Sequence, residues 1–113
     1  MPDTLAQVKV PYVDYNDQST LLYSDDYMFL PAEVEVLGEW PASPSFEGNN
    51  LSQFAYYING GSKIKSLSGS AVFWWLRSVA YSYSTDFCVV FISGSATADT
   101  ASNSYGVAPC FCV

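Results

Sequence analysis

The sequence predicts one α+β domain over residues 1–113, with mixed small sheets, one or two short helices and long loops. A chain of 113 residues is the length of a single domain. Half of the residues are apolar and 17% are aromatic, which is enough to form a core and argues against disorder. Strand-like runs at residues 71–78 and 87–92 are separated by turn sequences, whereas residues 31–38 have helix start and stop signals.

The segment 27–39 is predicted to be a strand that leads into a short helix. Pro31 suits the first helical position, and Gly38 suits the end of the helix. Glu33 and Glu35 complement the dipole of the first turn. They are two residues apart and therefore diverge on a helix, so we expect solvated capping residues and not a catalytic pair.

The remaining segments before residue 71 are mostly predicted as loops. Residues 8–10 suit a short strand, and residues 40–53 are loop because they contain two prolines, a glycine and two asparagines. Residues 54–58 suit a strand or part of a helix. The Asn-Gly-Gly sequence at 59–61 predicts a turn, and residues 62–70 are predicted to be a polar loop or an edge strand.

The last third of the chain alternates between apolar strands and small polar residues. Residues 71–78 are predicted to be a buried strand, followed by a second strand at 87–92 and a turn at 93–95. Residues 95–105 are small and polar. The valine, phenylalanine and two cysteines within 107–113 predict a final core strand.

The charge of the chain excludes several classes of function. The formal net charge is −7, and the basic residues are Lys9, Lys63, Lys65 and Arg77. Nucleic acid is therefore not expected as a partner, because phosphate binding requires many basic residues. The sequence has no histidine, which excludes Ser-His-Asp and Cys-His catalysis and histidine-ligated metals. We therefore expect a binding or structural protein, with no catalytic residue and no cofactor.

Neither the cysteines nor the acidic residues form a clear site pattern. Cys88, Cys110 and Cys112 are an odd number, so the predictions are buried free thiols or a Cys88 bond to one of the other two. Residues 14–17 supply three candidate calcium ligands. In an EF-type calcium loop that begins at Asp14, the sixth position is Ser19, whereas such a loop needs glycine there. No metal site is therefore predicted.

The sequence is expected neither to insert into a membrane nor to carry a secretory signal. No stretch of about 18 apolar residues exists, so no membrane insertion is expected. The Met-Pro-Asp-Thr start does not resemble a secretory signal. A protein acting outside the cell would then travel within a virion or as part of a longer exported chain.

Residues 78–113 contain no Lys, Glu, Gln, Met or Trp, whereas residues 1–77 contain 15 of them. With uniform composition, such an omission is expected on the order of once in a few thousand trials. None of the five has a codon that ends in a pyrimidine. Adenine-directed randomisation of asparagine codons would produce this pattern, and an ordinary β segment rich in small residues is the alternative.

Trp74-Trp75-Leu76-Arg77-Ser78 and the closing Gly106-Val107-Ala108-Pro109 together resemble the WWLRS and GVRP or GVAP motifs of one domain family. That family occurs in gut bacteria and their phages, and the resemblance extends over residues 23–113. The segment FLPAEVEVLG at 29–38 is also similar to the formylglycine-generating branch of C-type-lectin-like folds. Several members look like targets of diversity-generating retroelements, so the resemblance implies a C-type-lectin-like fold with a variable binding face.

The sequence departs from the family pattern in three ways. Ala108 stands where arginine is common, so any internal salt bridge of that arginine is absent. The reactive cysteines of formylglycine chemistry are not matched, because Cys110 and Cys112 fall in the predicted closing strand. The chain also lacks the opening strand and helix that the resemblance implies, which suggests a trimmed or fragmentary domain.

The resemblance places a candidate variable region at residues 79–105, on a fixed scaffold. Tyrosine and serine dominate the region, as in antibody paratopes, and Tyr81, Tyr83 and Tyr105 are the expected hot spots. The predicted ligand-binding residues are Ala80, Tyr81, Tyr83, Asp86, Val89, Phe91, Ser93, Ser95, Thr97, Asp99, Thr100, Ser102 and Tyr105.

The predicted scaffold combines core residues with one arginine. Trp74 and Trp75 are expected on opposite faces of their strand, one in the core and one supporting the loops. Arg77 is expected to pair with a carboxylate or with loop carbonyls. The other predicted scaffold residues are Leu76, Gly106, Val107, Pro109 and Phe111.

The expected function is a diversified receptor-binding module on a phage tail or a cell surface. Its partner would be a protein or glycan receptor on another cell or virion. The alternative is a non-diversified structural or adhesion domain of the same fold, and an enzyme is the least supported class. A homo-oligomer is compatible with the sequence, because weak single sites gain from avidity.

Overall fold

A computed structural model describes residues 6–14, 17–81 and 83–111; the side chains of residues 83–85 and 111 lie outside this description. Small antiparallel sheets and short helices form a mixed α+β fold, which confirms the predicted class, although the described residues contain three helices where one or two were predicted. In chain order, the elements are β1 (Val8–Val13), β2 (Leu21–Asp26), β3 (Met28–Phe29), α1 (Glu33–Leu37), α2 (Ser45–Asn50), α3 (Ala55–Ile58), β4 (Lys65–Leu67), β5 (Ser70–Val72), β6 (Trp74–Ala80), β7 (Tyr83–Val90), β8 (Ala96–Thr100) and β9 (Cys110–Phe111).

The strands form separate small sheets. β1 and β2 form one antiparallel hairpin, and β4 and β5 form another. β3 pairs antiparallel with β9, while β6, β7 and β8 form a three-stranded antiparallel sheet in that order. Within the described residues, no helix has the length and apolar content needed to cross a membrane.

The core lies where the three-stranded sheet meets α1 and α3. Alternate residues of a strand face the same side, so β6 and β7 each contribute two neighbouring core side chains. The buried cluster consists of Val36, Tyr57, Trp74, Leu76, Cys88 and Val90. Trp74 and Leu76 are therefore core residues, as predicted.

The loop predicted at residues 40–53 contains α2, although glycine and asparagine are poor helix formers. Tertiary packing explains the difference. A Cβ atom added at Gly48 would lie 2.1 Å from Trp40 Cδ2, so the helix approaches the indole ring more closely than another residue would allow. Residues 54–58, where strand and helix were both open, contain α3.

The C-terminal half contains more strand than the sequence predicted. The segment 62–70, predicted to be a polar loop or an edge strand, contains β4 and the first residue of β5, which form a separate two-stranded sheet. Residues 95–105 contain β8, which pairs with β7 along five residues. The predicted strand at 71–78 is interrupted at Phe73. There the carbonyl of Phe73 accepts a hydrogen bond from Gly106 N at 2.9 Å.

The ends of α1 are set by local backbone contacts. Gly38 ends the helix as predicted, with φ +75° and its N–H donated to Val34 O at 2.9 Å. Pro31 precedes the N-cap residue Ala32, so its prediction at the first helical position is wrong. The N–H of Ala32 is donated to Glu35 Oε1 at 2.8 Å, which satisfies a group that the helix leaves open.

The closing strand is shorter than predicted. Ala108 packs against the core cluster, whereas Val107 is 65% exposed and Pro109 is also exposed. Side chains of an extended segment alternate between faces, so the two neighbours of Ala108 point outward. The prediction of Val107 and Pro109 as core residues is therefore wrong, and the Phe111 side chain lies outside the described residues.

Candidate functional site

Arg77 joins three segments of the scaffold. Its guanidinium forms a two-point ion pair with Glu35, with Nη1–Oε1 at 2.5 Å and Nη2–Oε2 at 3.1 Å. Arg77 also donates from Nε to Pro11 O at 2.8 Å and from Nη1 to Leu30 O at 2.9 Å. The predicted pairing is confirmed for both kinds of acceptor. This arrangement makes Arg77 a scaffold residue with its charge already neutralised.

Glu33 and Glu35 are buried, so the prediction that they are solvated is wrong. The predicted capping role is confirmed for Glu35, which accepts the N–H of the N-cap residue Ala32. Glu33 is completely buried, and its Oε1 accepts hydrogen bonds from Ser43 N at 2.8 Å and Ser43 Oγ at 2.7 Å. The N–H of Ala42 adds a contact at 3.2 Å. Donors from the following loop therefore replace water around the Glu33 carboxylate, as Arg77 does around Glu35.

A second buried carboxyl group adjoins this network. Ser78 Oγ accepts a hydrogen bond from Glu33 N at 2.8 Å and donates one to Glu47. The other oxygen of Glu47, Oε2, has no hydrogen-bond partner among the described residues. Burial raises the pKa of Glu47 and that of Glu33, because it disfavours the charged form.

Trp74 and Trp75 lie on opposite faces of β6, as predicted. Trp74 is in the core and donates from Nε1 to Lys63 O at 3.0 Å. Trp75 is half-buried on the other face. Its backbone N–H is donated to Gly106 O at 3.0 Å, and a Cβ atom at Gly106 would lie 3.2 Å from Val72 Cγ2. Gly106 therefore serves the scaffold as a close backbone contact.

Four half-buried aromatic rings cover the outer face of the three-stranded sheet. Ring centroids are 4.8 Å apart for Phe73 and Phe91, and 5.1 Å apart for Tyr105 with Phe73 and with Trp75. We call these four residues the outer aromatic cluster. Such distances are typical of favourable aromatic pairs.

Asp99 accepts hydrogen bonds from three groups at the edge of the outer aromatic cluster. Its Oδ2 accepts the Tyr105 hydroxyl at 2.6 Å, and its Oδ1 accepts Asn103 Nδ2 at 2.9 Å and Thr100 N at 2.8 Å. The hydrogen bond from Tyr105 lowers the pKa of Asp99, and the same bond raises the pKa of Tyr105. Asp99 and Tyr105 therefore act as one unit.

A hollow of about 400 Å³ opens beside the start of β7. Tyr81 stands at its edge with 64% of its surface exposed, and its backbone N–H is donated to Ala42 O at 2.8 Å. We call this cavity the Tyr81 hollow; its lining includes Ala42, Ala80, Tyr81, Asp86, Thr97 and Ala98. Its lining includes the buried Ala80 and three other residues predicted to bind ligand, namely Tyr81, Asp86 and Thr97. Thr97 is paired with Val89 and Asp86 with Thr100, so the side chains of Thr97 and Asp86 face opposite sides of the sheet.

The other predicted contact residues divide by exposure. Phe91, Asp99 and Tyr105 belong to the outer aromatic cluster or support it, and Ser93, Ser95, Thr100 and Ser102 are exposed in or beside turns. Ala80 and Val89 are 1% and 0% exposed, so their prediction as surface contacts is wrong. The Tyr83 side chain lies outside the described residues.

The two-residue alternation of side chains along a strand predicts burial only where one face of a sheet is covered. It does not predict that Ala80 and Val89 are buried, because both faces of this sheet are covered at these positions. The sequence does not predict that Glu47 and Ser78 are buried polar residues or that Asn103 supports Asp99. No local pattern marks these three. Phe73 was visible within an aromatic run, yet its contacts with Phe91 and Tyr105 depend on the sheet.

Cys88 carries a free, buried thiol whose Sγ donates to Val79 O at 3.5 Å, which favours the thiol alternative. Burial raises the pKa of the Cys88 thiol, so it is an unreactive core residue. Cys112 lies outside the described residues.

The candidate calcium loop shows no metal site among its described residues. Asn16 lies outside the described residues, and Asp17 accepts hydrogen bonds from Ser19 N at 3.2 Å and Thr20 Oγ1 at 2.7 Å. The described residues contain no cluster of three candidate metal ligands.

The fold and surface define the protein as a small α+β domain with a buried polar network and an aromatic outer face. The chain belongs to the family described as a domain of unknown function (DUF6273), which matches residues 2–113. No curated protein matches the chain, and no solved structure does.

Proposed function

We propose that this domain is a ligand-binding module whose C-terminal region, residues 79–105, is diversified by a retroelement. The proposal includes a C-type-lectin-like fold and display on a phage tail or cell surface, where the module recognises a protein or glycan receptor. It includes no catalytic step, cofactor, nucleic acid or membrane insertion. A homo-oligomer would strengthen weak binding through avidity.

One observation carries the proposal: the exposed turns beside the three-stranded sheet come from the segment with the biased composition, whereas the charged residues of the buried network all lie earlier in the chain. Glu33, Glu35, Glu47 and Arg77 all precede residue 78. The exposed residues of 79–105 are mostly tyrosine, serine and threonine. Substitution at such exposed positions changes stability by only about 0.5 kcal/mol, so the scaffold would tolerate variation there.

The chemistry of this surface also suits recognition. Tyr81 offers a large exposed ring, and Ser93, Ser95, Thr100 and Ser102 offer small hydrogen-bonding groups. Paratopes combine rigid aromatic area and adaptable hydroxyls in this way. A ligand would therefore meet a surface that makes contacts without long, flexible, charged side chains.

The test of diversification is deep sequencing of the 3′ end of the gene in its native population. We expect variation confined to codons for residues 79–105, at positions that are adenine in a linked template. We further expect the codons of Ala80 and Val89 to encode only small or apolar residues among folded variants, because both side chains are buried. Even spread of silent and coding changes along the gene would overturn the proposal.

A non-diversified structural or adhesion domain is the second candidate, and the Asp99–Tyr105 unit favours it. Random substitution at either position would leave the other without its hydrogen bond at 2.6 Å. An invariant gene segment would support this candidate. Ligand screening would then use the single natural sequence and not a library of variants.

A further inference from the structure

We infer that the Tyr81 hollow is a subsite for a cationic side chain, lysine or arginine, of a protein receptor. The inference rests on the proposed function, because it specifies the partner of the same surface. Its basis is that Tyr81, which is 64% exposed, and the acidic Asp86 line one cavity in which no described lining residue is basic.

The hollow is large enough to admit a side chain of a partner. Small alanines at 42, 80 and 98 form part of its lining, and the larger Tyr81 stands at its edge. Its volume of about 400 Å³ lies toward the low end of the range for ligand pockets, about 300 to 1,000 Å³. The hydrogen bond from Tyr81 N to Ala42 O ties the edge of the hollow to the loop that follows α1. The cavity is therefore preformed at this edge.

The charge of the hollow selects the sign of the ligand. Asp86 is the charged residue among the described lining residues, and none of them is basic. The whole chain carries a net charge of −7, which adds to the negative potential at this surface. An anionic ligand would be repelled, whereas an ammonium or guanidinium group would be attracted before it makes contact.

The lining residues offer two interactions that a cation uses and a neutral ligand does not. A cation over the face of a tyrosine ring is attracted by the ring quadrupole. A carboxylate accepts charge-assisted hydrogen bonds from ammonium or guanidinium N–H groups. The chain already holds one of its own cations on aromatic rings, with Lys65 Nζ 5.3 Å from the centroid of Tyr56. Tyr81 and Asp86 would provide both interactions to a lysine or arginine of the receptor.

The test is an NMR titration of the isotopically labelled 113-residue chain with N-acetyl-arginine methylamide and N-acetyl-lysine methylamide at constant ionic strength. N-acetyl-glutamate methylamide and methyl glucoside are the comparison probes. We expect the two cationic probes to shift the amide signals of Tyr81, Asp86 and Thr97 saturably. The other two probes should leave these signals unchanged.

Variants of the lining residues give the size of each contribution. We expect Tyr81→Ala to raise the Kd for the arginine probe about three-fold, and Asp86→Asn to raise it about ten-fold. The matched controls are Tyr23→Ala, at an exposed ring on β2, and Asp25→Asn, at an exposed carboxylate on the same strand. Unchanged signals from the core would show that each variant is folded.

Three results would overturn the inference. One is the absence of a saturable shift with either cationic probe up to its solubility limit. Another is a shift of the same amides by methyl glucoside alone, which would indicate a glycan subsite. The third is a Kd change in the control variants as large as that in the lining variants.

Failure of the inference is distinguishable from failure of the proposed function. Variation confined to residues 79–105 with no binding of cationic probes would retain the diversified module and reject the cationic subsite. An invariant gene with binding of cationic probes would retain the subsite on a fixed adhesion domain.

Discussion

The hydroxyl of Tyr105 donates to Asp99 Oδ2 at 2.6 Å while the ring of Tyr105 lies 5.1 Å from the rings of Phe73 and Trp75. The same side chain therefore joins β8 to β6 through a polar and an aromatic contact. Both residues fall within the candidate variable region. Diversification at one of these positions would change the environment of the other.

The aromatic contact of Tyr105 is expected to contribute more stability than its hydroxyl. Tyr105→Phe keeps the contacts with Phe73 and Trp75 and loses the hydrogen bond, whereas Tyr105→Ala loses both. We expect thermal unfolding to show a larger fall in Tm for Tyr105→Ala. Equal falls would mean that the hydrogen bond to Asp99 is the dominant contact. Tyr81→Ala, at an exposed ring, is the control and should leave Tm nearly unchanged.

The ion pair of Arg77 and Glu35 is expected to be a strong determinant of stability. The two side chains are only 11% and 9% exposed, so loss of one partner leaves the other charge buried. We expect Glu35→Gln and Arg77→Met each to lower the free energy of unfolding by about 3 to 5 kcal/mol in urea denaturation.

The surface pair of Lys9 and Asp25 provides the matched control for this prediction. Its N–O distance is 3.2 Å, and its side chains are 75% and 57% exposed. Lys9→Met should therefore change the free energy of unfolding by at most about 1 kcal/mol. Similar losses for the exposed and the buried pair would contradict the scaffold role of Arg77.

Burial of Glu47 and Glu33 is expected to make part of the stability fall as the pH rises, whereas the lowered pKa values of Asp17 and Asp99 act in the opposite direction. Burial raises the pKa of Glu47 above that of the unfolded chain, about 4.3. Its stabilising contribution is therefore complete below the unfolded pKa and is lost as the pH rises through the folded pKa. Glu47→Gln should remove part of this dependence, since the amide is uncharged at every pH. Urea denaturation over a range of pH measures the effect.

Asp25→Asn is the control for the Glu47 experiment, because Asp25 is an exposed acidic residue. It should leave the wild-type pH profile in place. A profile for Glu47→Gln that is parallel to that of the wild type would show that Glu47 is not the group involved. Glu33, whose pKa burial also raises, would then be the group to substitute.

The contact between Gly48 and Trp40 is expected to determine the position of α2. A Cβ atom at Gly48 would overlap the indole ring, so Gly48→Ala should lower the free energy of unfolding by about 1 to 3 kcal/mol. Trp40→Leu would relieve the overlap. The double variant should therefore lose less than the sum of the single losses in urea denaturation, and simple additivity would contradict the contact.

Local sequence patterns predicted the parts of the molecule that depend on neighbouring residues. Gly38 ends α1 because its positive φ favours a residue without a side chain. The alternation of Trp74 and Trp75 follows from strand geometry, and both the class of fold and the core position of Trp74 were predictable. The pairing of Arg77 was also predictable, because a lone arginine beside a core requires acceptors.

The sequence by itself determined an α+β chain with an apolar C-terminal strand pair and a net negative charge. Only the tertiary structure decided which polar groups are buried. Glu33 was predicted to be solvated, and no local pattern marked Glu47 as buried, but Ser43 and Ser78 supply hydrogen-bond donors to these two carboxyl groups. Likewise, the strand pairing decided that Ala80 and Val89 are covered while Tyr81 and Asp86 line a cavity. The physical reason is that burial and pairing depend on which distant segments meet, and residue spacing does not specify this.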